Sequence, residues 1–140
     1  MVERLPDWEP RLVTLLEGAA ARPFVLGEWD CALFAAACIE AVTGIDGGAT
    51  FRGRYKTAIG YQRVLRRAGF ADLFTPFDAL LGERVSPLFC GRGDIVSDGE
   101  RVGVMWASGP LFVGGAADDA GHEVGLVSGG LGALIWGWRV

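Results

Sequence analysis

The segment from Asp30 to Gly44 constrains the fold more than any other part of the chain. It reads Asp-Cys-Ala-Leu-Phe-Ala-Ala-Ala-Cys-Ile-Glu-Ala-Val-Thr-Gly. Asp30 has the side chain of an N-cap, and Gly44 has the backbone freedom of a helix stop. Between them Leu33, Phe34, Ala37, Cys38, Ala41 and Val42 make a wide apolar face, with Glu40 almost the only charge. That composition predicts a helix over 31–43 that is central and buried. Its first residue is Cys31. A thiol at a helix N-terminus feels the positive end of the dipole, which favours thiolate, but the adjacent Asp30 carboxylate works the other way. Two readings stay open: an activated nucleophile, or a small apolar residue packed beside a cap.

Other helices can be placed around this one. A first helix starts near Asp7, tolerates Pro10 in its opening turn, and repeats Trp8, Leu12, Leu15, Leu16 and Ala19 at helical spacing until Arg22-Pro23 ends it. A third runs from Thr57 through Ile59, Tyr61, Val64, Leu65 and Ala68 to a stop at Gly69. Thr75-Pro76-Phe77-Asp78 combines a cap, an N1 proline and an N3 acid, which predicts a short fourth helix reaching Leu81.

After Pro87 the pattern changes. Gly93–Val96, a turn at Ser97-Asp98-Gly99-Glu100, and Arg101–Trp106 read as strand, turn, strand. Further short strands are expected at 111–113, 123–127 and 133–140, and alternation puts Trp136 and Trp138 on one face of the last. Helices first and strands second predict an α+β fold in a single domain over 1–140, with a helical part over about 7–82 and a sheet part over about 93–140. The expected architecture is a central cysteine-bearing helix packed on a small, curled antiparallel sheet.

Composition narrows the function classes. The chain has 140 residues, 51% of them hydrophobic, and a mean hydropathy of +0.31. No apolar run reaches the roughly 18 residues of a membrane span, so no membrane insertion is expected. The opening Met-Val-Glu-Arg-Leu-Pro-Asp lacks an apolar core segment, so the expectation is a chain made in a bacterial cytoplasm without a signal peptide. Net charge is −4, but Arg52, Arg54, Lys56, Arg63, Arg66 and Arg67 form a basic block with no acid between Asp46 and Asp72. That block is either a solvated face or a contact for an acidic partner; overall acidity argues against nucleic acid. Cys31 and Cys38 stand about 10 Å apart along a shared helix, too far for a disulfide. With Cys90 they lack metal-ligand spacing and read as free thiols. Asp118, Asp119, His122 and Glu123 also lack a metal pattern, so no metal or cofactor is expected.

Three stretches taken in order carry a resemblance: Asp30-Cys31-Ala32-Leu33-Phe34, then Gly93-Asp94-Ile95-Val96, then Val102-Gly103-Val104. Together they resemble the NlpC-type cell-wall peptidases of papain-like fold. Those enzymes have an Asp-Cys-Ser-Gly-like start to the central helix, a Gly-Asp-Leu-Val-like strand and a His-Val-Gly-Ile-like strand. The chain is also similar to a family from phage and prophage tail gene clusters that is distantly related to these peptidases. Leu5-Pro6-Asp7-Trp8-Glu9, Arg22-Pro23-Phe24, Thr43-Gly44-Ile45-Asp46, Arg52-Gly53-Arg54-Tyr55, the run Arg66–Asp72 and Trp138-Arg139-Val140 carry that second likeness. The resemblance implies Cys31 as nucleophile or relic, Asp94 as a structural strand start, a place in a virion, and other tail-tip proteins as partners.

One departure matters. The peptidase pattern opens its second strand with the histidine that deprotonates the cysteine, and the alignment puts Arg101 there. A guanidinium has no lone pair and a pKa above about 12, so it cannot act as general base. The chain has no asparagine, and its one glutamine is Gln62. His122, the one histidine, stands three residues from Gly125, out of register with the peptidase pattern, and reads as a loop or surface residue. The expectation is a catalytically degenerate NlpC-like component of a tail tip or baseplate. The alternative is an active cysteine peptidase or amidase that cleaves peptidoglycan stem peptides, with His122 as an unorthodox base and the Cys31 amide as oxyanion donor.

Overall fold

The computed structural model describes residues 2–114 and 121–140. Four α-helices come first: α1 (Trp8–Ala19), α2 (Cys31–Thr43), α3 (Ala58–Arg67) and α4 (Thr75–Leu81). A five-stranded antiparallel sheet follows, built from β1 (Ile95–Ser97), β2 (Val102–Trp106), β3 (Gly109–Val113), β4 (Leu126–Ser128) and β5 (Trp136–Trp138). Its order is β4-β3-β2-β1-β5, so β2 is the middle strand. The architecture is α+β, helices then sheet.

The caps set α2. Asp30 has an extended backbone, and its carboxylate accepts from the Leu33 amide at 3.0 Å; Gly44 ends the helix in the left-handed region at φ 81°. Between them nine residues are buried, including Phe34, Ala35, Cys38, Ile39 and Val42 at 0% exposure. One face of α2 meets α1, and another lies on β2 and β3. The register Ile95↔Val104↔Leu111, together with Ile95↔Trp138, puts Ile95, Val104 and Trp138 on the face turned to α2. Deleting a side chain such as Phe34 from this core would cost about 3–5 kcal/mol.

Several boundaries differ from those the sequence predicts, each for a local reason. Thr75 does not cap α4. The carboxylate of Asp72 accepts from the amides of Phe74 and Thr75 at 2.9 and 3.0 Å, and Thr75 lies inside the helix. Asp7 flanks α1 without a side-chain cap bond. The strand expected over 123–127 begins at Leu126, because residues 123–125 pair with the loop after α1 instead. Phe24 donates to Glu123 at 2.7 Å, and Gly125 donates to Arg22 at 3.2 Å with its own φ at 83°. The strand expected over 133–140 shortens to Trp136–Trp138 behind a 3-10 turn at Leu131–Ala133. Trp136 and Trp138 do share the inward face, with Trp138 fully buried and its indole N–H donating to Asp78 at 2.9 Å.

Candidate functional site around Cys31

Cys31 opens α2 and is half-buried. Its sulfur lies against the main-chain amide of Val102, the first residue of β2. The thiol pKa is raised. Burial is the largest cause, and the Asp30 charge adds to it; the Val102 amide and the amides of Ala32 and Cys31 pull the other way without prevailing. The helix-terminus effect anticipated from sequence is therefore present and outweighed. The sequence alone offered no measure of how deeply β2 covers the sulfur. At neutral pH Cys31 is a thiol, not a thiolate.

Asp30 is fully engaged in structure. One carboxylate oxygen accepts from Leu33; the other accepts from the Gly27 amide at 3.0 Å and from the Tyr55 hydroxyl. Asp30, Tyr55 and Trp29 are each 5% exposed or less. The Tyr55 ring stacks on Tyr61, centroids 4.5 Å apart at 30°. Burial pushes both phenols up, with the Asp30 carboxylate and Cys31 adding to the rise. Two tyrosines thus stand beside the cysteine as neutral hydroxyls. Neither was legible in sequence as part of this site, because Tyr55 and Asp30 are 25 residues apart with no pattern linking them.

Arg101 takes no part in this arrangement. It lies in the β1–β2 turn, where its guanidinium pairs with Asp98 at 3.0 Å and stacks over the Phe112 ring at 4.3 Å. Phe112 covers Gly103, on the sheet face opposite α2, so Arg101 follows Gly103 rather than Val102. The main chain at this position reaches Cys31; the guanidinium is held elsewhere. His122 is exposed and sits just before β4, where its neighbours Glu123 and Val124 pair with Phe24 and Pro23 of the loop that leads to Asp30. Asp118 and Asp119 lie outside the described residues.

Asp94 immediately precedes β1 and is 3% exposed. It accepts from the amides of Gly91 and Val140 at 2.9 and 2.8 Å, and pairs with Arg4 at 2.9 Å. Its role is to tie residues 4, 91 and 140 together at the start of the sheet. In the basic block, Arg52 forms a two-pronged pair with Asp46 at 3.0 and 3.1 Å. Arg54, Lys56, Arg63, Arg66 and Arg67 are exposed on and before α3, without an ion pair among the described residues. A narrow apolar cleft of about 40 Å³ runs along α2 between Leu33, Ala36, Phe51, Tyr61, Pro76 and Leu80.

The class defined by these features is an α+β domain whose buried central helix begins with a covered cysteine beside its middle strand. A family described as a domain of unknown function (DUF6950) matches residues 3–140, and the chain belongs to it. No curated protein and no solved structure matches the chain.

Proposed function

We propose that this protein is a non-catalytic relative of the papain-like, NlpC-type cell-wall peptidases, serving as a component of a phage or prophage tail tip. One observation carries the loss of catalysis. The polar group facing the Cys31 sulfur from β2 is the amide of Val102, a donor, where hydrolysis requires a proton acceptor. The charged neighbour, Asp30, is occupied by Leu33, Gly27 and Tyr55, and raises the thiol pKa instead of relaying a proton. The virion setting rests on the sequence likeness spread from Leu5 to Val140.

The test is site-resolved alkylation with iodoacetamide across pH, read by peptide mass mapping, alongside incubation with peptidoglycan stem peptides. The expected result is slow labelling of Cys31 at pH 7, rising only above the range of an ordinary thiol, with no hydrolysis. Rapid labelling at pH 7 together with cleavage abolished by Cys31→Ala would overturn the reading.

A second reading, an active cysteine peptidase, draws on the pairing of residues 123 and 124 with the loop before Asp30, which brings the chain around His122 to that loop. It requires cleavage lost in both Cys31→Ala and His122→Ala. Cleavage that survives His122→Ala removes it.

A further inference from the structure

Helix α3 turns one face wholly to solvent. Ile59, Gln62, Arg63 and Arg66 recur along it at i, i+3, i+4 and i+7, with Arg67 beside them, and all five are exposed. Arg54 and Lys56 stand exposed just before its N-cap, Thr57. Arg54, Lys56, Arg63, Arg66 and Arg67 have no ion pair among the described residues. Five of the chain's 13 basic residues are thus gathered here, leaving eight to offset its 17 acids.

Helix formation does not account for this gathering. Like charges three and four residues apart, as in Arg63 with Arg66 and Arg67, destabilise a helix. Lys56 lies at the positive end of the helix dipole, where a cation is unfavourable. The sequence places no acid between Asp46 and Asp72 to relieve either. Local rules broken together on one surface point to selection for something other than stability.

A hollow of about 350 Å³ runs along the flank of the same helix. Leu26, Leu65 and Leu73 give it apolar walls, and Gln62 and Arg66 stand exposed at its edge. Asp72, the acid on its wall, accepts from the Phe74 and Thr75 amides through one carboxylate oxygen. On the adjoining basic face Ile59 is 65% exposed.

We propose that α3 is the docking surface for an acidic segment of a partner protein, with carboxylates on Arg63, Arg66 and Arg67 and one aliphatic side chain seated between Ile59 and the hollow. The cations set the partner's sign, and their surroundings set its kind. A nucleic acid strand would run past the patch onto a chain where acids prevail. It would also lack a stacking platform, since the Tyr61 ring is turned onto Tyr55. A lipid surface needs a broader apolar face than Ile59 supplies. A short acidic segment ends where the cations end, and an aliphatic side chain suits a hollow walled by leucines. The inference does not rest on the reading of Cys31, because no cation of this face bears on the thiol.

Fluorescence anisotropy of the full chain tests it, with a labelled peptide that carries a short run of glutamates around one central leucine. The peptide should bind at low salt and lose at least about ten-fold in affinity at about 150 mM salt. Glutamine in place of the glutamates should abolish binding, and serine in place of the leucine should weaken it about five-fold. Arg63→Glu combined with Arg67→Glu should weaken binding at least about ten-fold. The pair Arg63→Gln and Arg67→Gln, gentler on the helix, should give an intermediate loss. Ile59→Ser should weaken binding about three-fold. Arg139→Glu, at an exposed arginine after β5, should leave it within about two-fold. All these side chains are exposed, so circular dichroism of the variants should match the parent. A glutamate peptide that binds no tighter at low salt than its glutamine version overturns the proposal, as does a charge-reversed α3 that binds like the parent. Tighter binding of a single-stranded DNA of matched charge, or of phosphatidylglycerol vesicles, also overturns it and gives the surface to that polyanion.

Discussion

The two ends of β2 make an instructive contrast. At Val102 the strand runs into the start of α2, where the amide faces the Cys31 sulfur and the Asp30 carboxylate is closed by Leu33, Gly27 and Tyr55. The buried Trp29 indole N–H is left there without a hydrogen-bond partner. At Met105 and Trp106 the same strand borders an open hollow with Leu88 and Leu131 standing exposed on it. The first end holds a thiol at a helix start with its surroundings largely filled in. The second borders exposed apolar side chains, with the free Cys90 thiol and Ser108 on its wall. On the reading proposed above, the end that attracts attention in the sequence would be structural, while the quieter end is the one open to solvent.

The largest effect should come from Asp30→Ala. It removes the cap of α2 and strands the Gly27 amide and the Tyr55 hydroxyl in a buried setting, a combined loss of about 3–4 kcal/mol. Urea denaturation measures it. A loss below about 1 kcal/mol would show that Asp30 is not the structural group described and would reopen a catalytic role for it.

Alkaline pH should have an intermediate effect. Burial raises the pKa of Cys31, Cys38, Tyr55 and Tyr61, and takes Cys90 up to about 11. A raised folded-state pKa means the native chain holds these protons more tightly than the unfolded chain. The stability they contribute is whole below the unfolded values, about 8.5 for cysteine and 10 for tyrosine, and is lost as pH rises past them. The urea midpoint should therefore hold near pH 8 and fall steadily toward pH 11. A flat profile over that range would mean the Val102 end is open to water like the other.

Arg101→His should produce the smallest change. It places an imidazole at position 101, but the side chain there departs toward Phe112 and Asp98. Alkylation of Cys31 should stay within about two-fold of the parent. A marked acceleration near pH 7 would show that the imidazole reaches the sulfur and that one substitution separates this chain from an active site.

How much of this was legible in the sequence follows from range. The bounds of α2 could be read from Asp30 and Gly44 because capping and the left-handed stop are local. The same holds for Thr57, whose hydroxyl accepts from Gly60 at 3.0 Å. Where a local motif had a competitor, the reading failed: Asp72 lies three residues before Thr75 and captures the role assigned to it. The strands were placed in order, but the third was drawn too short, since it begins at Gly109, and the last two too long; pairing of residues 123–125 with the loop after α1 depends on tertiary contact. Around Cys31 the cap was visible and the burial was not. The depth of the sulfur depends on Val102, and the Tyr55 hydroxyl reaches Asp30 across 25 residues. The exposure of Leu88 and Phe89 carried no signal, because a Ser-Pro-Leu-Phe stretch looks alike whether its side chains point inward or out.

The raised pKa values of the three cysteines have a further consequence. Oxidation proceeds through the thiolate, and Cys31, Cys38 and Cys90 are all free and all held in the protonated form. Such a chain is chemically patient. Moved from a reducing compartment to an oxidising one, it should keep the same covalent structure for a long time, without a disulfide to make or a reductant to depend on.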